Sequence, residues 1–212
     1  MLEELGVEYN IIPVDIGAGD QFKPEFLKIS PNNRMPAIVD HDVDGEPITV
    51  FESGAILLYL AEKYGKFIPK DIRGRVEVLE WLNWQMGGLG PMMGQVSHFA
   101  TYAPQLTDND LSYPIERYGN EAHRLLGVID KRLASRDYLA GEYSIADMAA
   151  WPWAISYKFF GFDIEEFPNA LKWIGKMYDR PAVMKGRELN SEQRIAAPVL
   201  SEETKEKLFR QK

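Results

Sequence analysis

The sequence predicts a small α/β domain followed by a larger all-α domain, and three observations carry that prediction. Within residues 1–64, short apolar runs alternate with turn signals, among them Asp44-Gly45. Further along, apolar residues recur at spacings of three and four, as on one face of a helix. Between the two, residues 65–73 hold Gly65, Pro69 and the charged Lys66, Lys70, Asp71 and Arg73, a linker composition. A chain of 212 residues buries about 70% of its extended surface on folding, so neither half needs a disulfide or a metal to hold it.

The elements follow in order. Tyr9 to Asp15 reads as a strand, near an edge because Pro13 cannot donate to a ladder. Residues 17–24, with Gly17, Gly19 and Pro24, read as a loop, and Pro24 to Ile29 as a short helix with proline in its first turn. Ser30-Pro-Asn-Asn33 is a turn. Ala37–Asp40 and Ile48–Phe51 are two strands of a hairpin. Ser53 is placed to cap a helix running to Tyr64, with Gly65 as its left-handed terminator, and the apolar run from Ala55 to Leu60 predicts that this helix is buried. After the linker, residues 74–98 read as one long helix. Ile115, Tyr118, Ala122, Leu125, Ile129 and Leu133 mark the inner face of another. Ser144 and Asp147 form a capping box at the start of a third, with Pro152 inside it. Phe167 to Tyr178 is the next, stopped by Arg180-Pro181. Ser201 to Arg210 is a charged helix in a largely solvated tail.

Composition narrows the function. There is no cysteine, which excludes a protein thiol nucleophile, a cysteine zinc site and an iron–sulfur cluster within these residues, and fits a reducing compartment. His41, His98 and His123 share no helical metal spacing, so no metal is expected. The net charge of −8 lies wholly in residues 1–64, which carry four basic and twelve acidic side chains against twenty of each in the rest. Such a surface does not attract nucleic acid or anionic membranes. No apolar stretch is long enough to span a bilayer and the start lacks a signal-peptide pattern, so a cytoplasmic location is expected. Gly87, Gly88, Gly90 and Gly94, interleaved with Met86, Met92 and Met93, suit close helix packing first and an adaptable pocket floor second. Trp151-Pro-Trp153 reads as core.

Seven segments together carry a family likeness. Asn33-Arg-Met-Pro-Ala-Ile-Val39 followed by Phe51-Glu-Ser-Gly-Ala-Ile-Leu-Leu-Tyr-Leu60 resembles the glutathione-site half of glutathione transferases. Gln21-Phe-Lys-Pro-Glu-Phe26, Trp84-Gln-Met-Gly-Gly-Leu-Gly90, Glu116-Arg-Tyr118, Ser144-Ile-Ala-Asp147 and Arg180-Pro-Ala-Val183 are similar to the nu class, the bacterial and fungal branch noted for glutathione-dependent disulfide reduction. The resemblance implies a thioredoxin-like glutathione-binding domain at 1–64, a linker at 65–73 and a helical domain at 74–212, usually in a homodimer. It implies glutathione as co-substrate, with a small electrophile or disulfide as its partner.

The resemblance also implies site residues. Met35-Pro36 corresponds to the family's cis-proline, which turns the Met35 backbone toward the cysteinyl part of glutathione. Glu52 suits the γ-glutamyl ammonium; the Ser53 hydroxyl and the helix N-terminal amides suit the γ-glutamyl carboxylate. Gln21 contacts glutathione in resembling proteins, against an ordinary exposed loop glutamine. Arg117 matches an arginine that reaches a glutathione carboxylate, that of a second molecule, against an i,i+4 pair with Glu121. The family's first strand and its Thr-Pro-Asn-Gly-type catalytic turn match nothing here. The chain opens at Met1-Leu-Glu-Glu-Leu-Gly6, similar to the end of the family's first helix, so the catalytic donor is expected upstream of Met1, the first domain is expected to be truncated, and the strand at Tyr9 is expected to lack its partner. The alternative function is a non-catalytic glutathione-binding or regulatory protein on the same scaffold.

Overall fold

A computed structural model describes residues 1–191 and 199–209. Its elements run α1 (Leu2–Leu5), α2 (Pro24–Ile29), β1 (Ala37–Asp40), β2 (Ile48–Phe51), α3 (Ser53–Tyr64), α4 (Ile72–Trp84), α5 (Gly90–Ser97), α6 (Ser112–Leu133), α7 (Ile145–Ala154), α8 (Pro168–Tyr178), α9 (Pro181–Glu188) and α10 (Glu202–Phe209). The strands pair antiparallel, Ala37 opposite Phe51 and Asp40 opposite Ile48. Helix α3 folds back on the hairpin, where the Asp40 carboxylate accepts from Tyr59 Oη at 2.8 Å and Lys63 Nζ at 2.7 Å. Gly65, at φ 63°, ends α3 as expected.

The core lies among α4 to α8, with Leu89, Met93, Leu125, Leu126, Ile129, Leu139, Trp173 and Met177 buried. Asp147 is fully buried at its centre. Its carboxylate accepts from the amides of Leu139 and Ser144, the Ser144 hydroxyl and Trp173 Nε1, at 3.0–3.2 Å. Burial pushes its carboxyl up to about 6, opposed by those four donors, which favour the ionised form. The capping box thus holds the α6–α7 connection and α8 together as well as starting α7.

Several expectations are corrected. Residues 7–15 form no strand: among the described residues the sheet has two strands, and an extended segment becomes a strand only when a ladder partner lies beside it. Ile12 is left 84% exposed. Ser53 is the first residue of α3, and Glu52 holds the cap position without a side-chain bond. Helix α3 buries only Ile56, Leu60 and Ala61. The predicted 74–98 helix starts at Ile72, capped by Asp71 on the Gly74 amide at 3.0 Å, and is interrupted by π turns at Gln85–Leu89 and His98–Tyr102. Pro91 has no amide to give the preceding turn, and the wider π turn before it accommodates that loss. Pro181 starts α9 as well as ending α8. The tail helix α10 is docked rather than solvated: Phe209 packs on His98 and Tyr102, and Lys207 reaches the Ala18 carbonyl at 3.1 Å. Arg210 of the predicted tail helix lies outside the described residues.

Candidate functional site

The hairpin, α3 and the α4–α5 junction enclose a cleft of about 580 Å³. One wall is the loop before β1. Ser30, fully buried, organises it: its hydroxyl donates to the Arg34 carbonyl at 2.7 Å, and its carbonyl accepts from the Asn33 amide at 2.9 Å. The loop ends in a cis Met35–Pro36 peptide bond, as expected. Asn32, Arg34, Met35 and Pro36 face the cleft from this wall. Met35 is 48% exposed.

The end of β2 supplies Phe51, Glu52 and Ser53. Glu52 has φ 69° and ψ 119°, a backbone conformation that non-glycine residues adopt only under strain of order 1–3 kcal/mol. This turns the chain sharply from strand into helix while its carbonyl still accepts from the Ile56 amide at 2.9 Å. The side chain of Glu52 and the uncapped N-terminal amides of α3 therefore lie at the same corner, an anion-binding helix end beside a carboxylate. The Ser53 hydroxyl lies 3.8 Å from Met86 Sδ. A side chain at Gly54 would meet Met86 at 3.1 Å, so the glycine lets α3 approach the helical half.

The opposite wall comes from the helices: Gln85, Met86, Gly90, Pro91, Gly94 and Gln95, with Trp153 from α7. The structure thus brings Met35, Pro36, Glu52 and Ser53 to one cleft. It does not bring Gln21 or Arg117 there. Gln21 is buried, 3% exposed, which removes the alternative of an ordinary exposed loop glutamine. Its Nε2 donates to the Ile16 carbonyl at 3.3 Å and its Oε1 has no partner among the described residues. Arg117 is exposed on α6, which packs on α5. Glu121 pairs with Arg124 at 2.7 Å rather than with Arg117.

Gln85 and Asn32 have no assigned role in the sequence reading, and Trp153, read as core, does pack against the core but also lines the cleft. The glycines at 90 and 94 were the available signal. A Cβ at Gly90 would lie 3.1 Å from Trp153 Nε1, and at Gly94 3.8 Å from its Cη2, so the indole runs along a helix face that carries no side chains. At Gly90 and Gly94 the packing and pocket-floor expectations both describe what is there; at Gly87 and Gly88 neither does, since a Cβ there would meet nothing within 4 Å and neither residue lines the cleft. A smaller groove of about 340 Å³, lined by Arg136, Lys172 and Lys176 among others, lies between α6 and α8 and contains none of the motif residues. Among the described residues no group of His, Cys, Asp or Glu is arranged to hold a metal, and no helix is long and apolar enough to cross a membrane.

An α/β half with a cis-proline and an open helix N-terminus, packed on a helical half, defines a protein of the glutathione transferase architecture. Comparison with known proteins agrees: residues 1–62 match the glutathione S-transferase N-terminal domain and residues 113–176 its C-terminal domain. The disulfide-bond oxidoreductase YfcG of Escherichia coli is 51% identical over 184 residues, covering 85% of this chain and 84% of that protein. A glutathione transferase of Burkholderia graminis, solved with two glutathione molecules per subunit, superposes with a TM-score of 0.82 at 41% identity, over 90% of this chain and 81% of that one. One from Pseudomonas putida, with one glutathione disulfide per subunit, has a TM-score of 0.82 at 40% identity, over 90% and 84%. The chain belongs to the glutathione S-transferase family.

Proposed function

We propose that this protein is a glutathione-dependent disulfide oxidoreductase whose cleft holds glutathione across its first wall. The observation that carries this is the convergence of Met35, Glu52, Ser53 and the α3 N-terminus on one cleft. The chain supplies no thiol of its own. Similarity to a disulfide-bond oxidoreductase and to transferases solved with glutathione supports it.

Glu52 pairs with the γ-glutamyl ammonium, and Ser53 with the adjoining amides takes the free α-carboxylate of the same γ-glutamyl residue. The Met35 backbone, which has no hydrogen-bond partner among the described residues, meets the cysteinyl part. The glutathione thiolate attacks one sulfur of a disulfide, forming a mixed disulfide and releasing the other sulfur as a thiolate that takes up a proton. A second glutathione thiolate then attacks the glutathionyl sulfur, giving glutathione disulfide and the second free thiol. Two glutathiones lose two electrons and the substrate disulfide gains them. Arg117, which makes no hydrogen bond among the described residues and meets Glu121 only through the charge between them, is our candidate for a carboxylate of the second glutathione. Gln21, with an unsatisfied oxygen, is our candidate for a further contact. We assign glutathione binding to residues 1–64 and the opposing wall to residues 74–212, in a homodimer. The cytosol is the setting, since glutathione is kept reduced there.

The test is turnover: glutathione-dependent reduction of hydroxyethyl disulfide, followed by coupled reduction of the glutathione disulfide formed. Saturable turnover above the uncatalysed exchange is the expected result. Glutathione binding without turnover would support a non-catalytic binding protein instead.

A further inference from the structure

The chain has no cysteine, so its only sulfur is that of eight methionines. Met93 and Met177 are shut in the core. Met35 and Met86 instead line the cleft, one on each wall. Met86 is half-buried, and its thioether lies against the first turn of α3. The Ser53 hydroxyl donates to Met86 Sδ at 3.8 Å, and a Cβ on Gly54 would lie 3.2 Å from Sδ and 3.5 Å from Cε. The sulfur therefore sits where α3 begins without a side-chain cap. Met35 is 48% exposed but makes no hydrogen bond to Ser53 among the described residues. A thioether is a weak acceptor, so the Ser53 hydroxyl loses little by leaving it for a carboxylate. A sulfoxide is a different neighbour. Its oxygen is a strong acceptor, carries partial negative charge and stands one bond nearer to Ser53.

We propose that Met86 is a modification site, a thioether that hydroperoxides oxidise to the sulfoxide, which switches off γ-glutamyl recognition at the start of α3. This rests on glutathione occupying the first wall. The hydroperoxide gives its distal oxygen to Sδ. The O–O bond breaks, the S–O bond forms and the sulfur loses two electrons. The proton of that oxygen passes to the departing oxygen, which leaves as an alcohol or, from hydrogen peroxide, as water. The sulfoxide oxygen then accepts from the Ser53 hydroxyl and faces the α3 amides, the donors that otherwise take the α-carboxylate. Two electrons and two protons from a thiol reductant, delivered by methionine sulfoxide reductases, return the thioether and water.

Protein treated with hydrogen peroxide and then desalted tests this through two readings. Peptide mass spectrometry gives the sulfoxide at each methionine, and calorimetry gives glutathione affinity, each protein being compared with its own untreated form. Wild type is expected to gain the sulfoxide at Met86 while Met93 and Met177 stay reduced, and to bind glutathione about tenfold more weakly. Affinity should return when reductases for both sulfoxide epimers act on it. Met35→Leu should lose affinity as wild type does, and Met86→Leu should change by less than about twofold. Oxidation of Met86 no faster than the buried pair, full Met86 sulfoxide with unchanged affinity, or an equal loss in Met86→Leu would each overturn the proposal. If Met86→Leu does not fold, a time course on wild type decides: affinity loss that follows Met86 sulfoxide supports the site, and loss that follows Met35 sulfoxide overturns it. If untreated protein binds no glutathione, the glutathione reading falls and takes this one with it, an outcome distinct from binding that peroxide leaves unchanged.

Discussion

Glu52 carries two demands at once, a strained backbone and a charge at the mouth of the cleft. Replacing it separates them. Glu52→Ala keeps the strain and removes the charge, and is expected to weaken glutathione binding by about 1.5–3 kcal/mol, the worth of a charge-assisted hydrogen bond. Glu52→Gly is expected to lose the same affinity. It should also denature at a urea concentration no lower than wild type, because relief of about 1–3 kcal/mol of strain outweighs the roughly 0.5–1 kcal/mol that glycine costs through chain entropy. Affinity comes from calorimetry and stability from urea melts; a glycine variant clearly less stable than the alanine variant would show that Glu52 is not strained. Asp147 presents the opposite case, a buried carboxylate with all its contacts structural. Asp147→Ala strands the Leu139 and Ser144 amides and the Trp173 indole, and is expected to cost about 3–5 kcal/mol in the same melts.

At the scale of elements, α10 is a strap from the helical half onto the loop that carries Gln21. Lys207 reaches the carbonyls of Gly17 and Ala18 and its stem lies 3.5 Å from where a Cβ on Gly19 would be. Lys207→Ala is expected to speed hydrogen exchange several-fold at the Gly19 and Asp20 amides, which bond to Ile16 and Asp15 within that loop, and to leave the α6 amides unchanged. Exchange unchanged in the loop would mean that the strap bears no load. The sequence showed α10 as a charged helix but not its seat, because Phe209 finds His98 and Tyr102 only through the tertiary fold. The same division runs through the molecule. The hairpin strands and the end of α3 were legible residue by residue, since Asp44-Gly45 and Gly65 act locally. The segment at Tyr9 was not, because strand identity depends on a partner distant in sequence. The first wall of the cleft was legible through its likeness to the glutathione transferases. The second was not, since Trp153 looks like any core tryptophan until the glycines of α5 are set against it.

For the whole molecule, the first residues are fastened to the last helices. Glu4 accepts two hydrogen bonds from Arg180, each 2.8 Å, and one from Tyr143 at 3.1 Å, with the guanidinium 3.6 Å from the Tyr143 ring centre. Lys185 bonds Glu3 at 2.7 Å. Burial pushes the Glu4 carboxyl up, but the Arg180 hydrogen bonds and charge outweigh it and hold the carboxyl below its ordinary value. A carboxylate depressed in the fold contributes stability above its unfolded value near 4.5, and that stability is lost as the pH falls below it. Glu4→Gln should therefore lower the melting temperature at pH 7 and narrow the gap to wild type as the pH falls from 4.5 toward 3. A gap constant with pH would assign the clasp to packing rather than charge.

Glutathione is expected to lie against Met35, Glu52 and Ser53. Amide chemical shifts of the labelled protein, followed as glutathione is added, test it most directly. Saturable shifts clustered at Met35, Glu52, Ser53 and Gly54 are expected, with Arg136, Lys172 and Lys176 undisturbed. Shifts confined to the basic groove between α6 and α8, or none at the end of β2 at saturating glutathione, would contradict it.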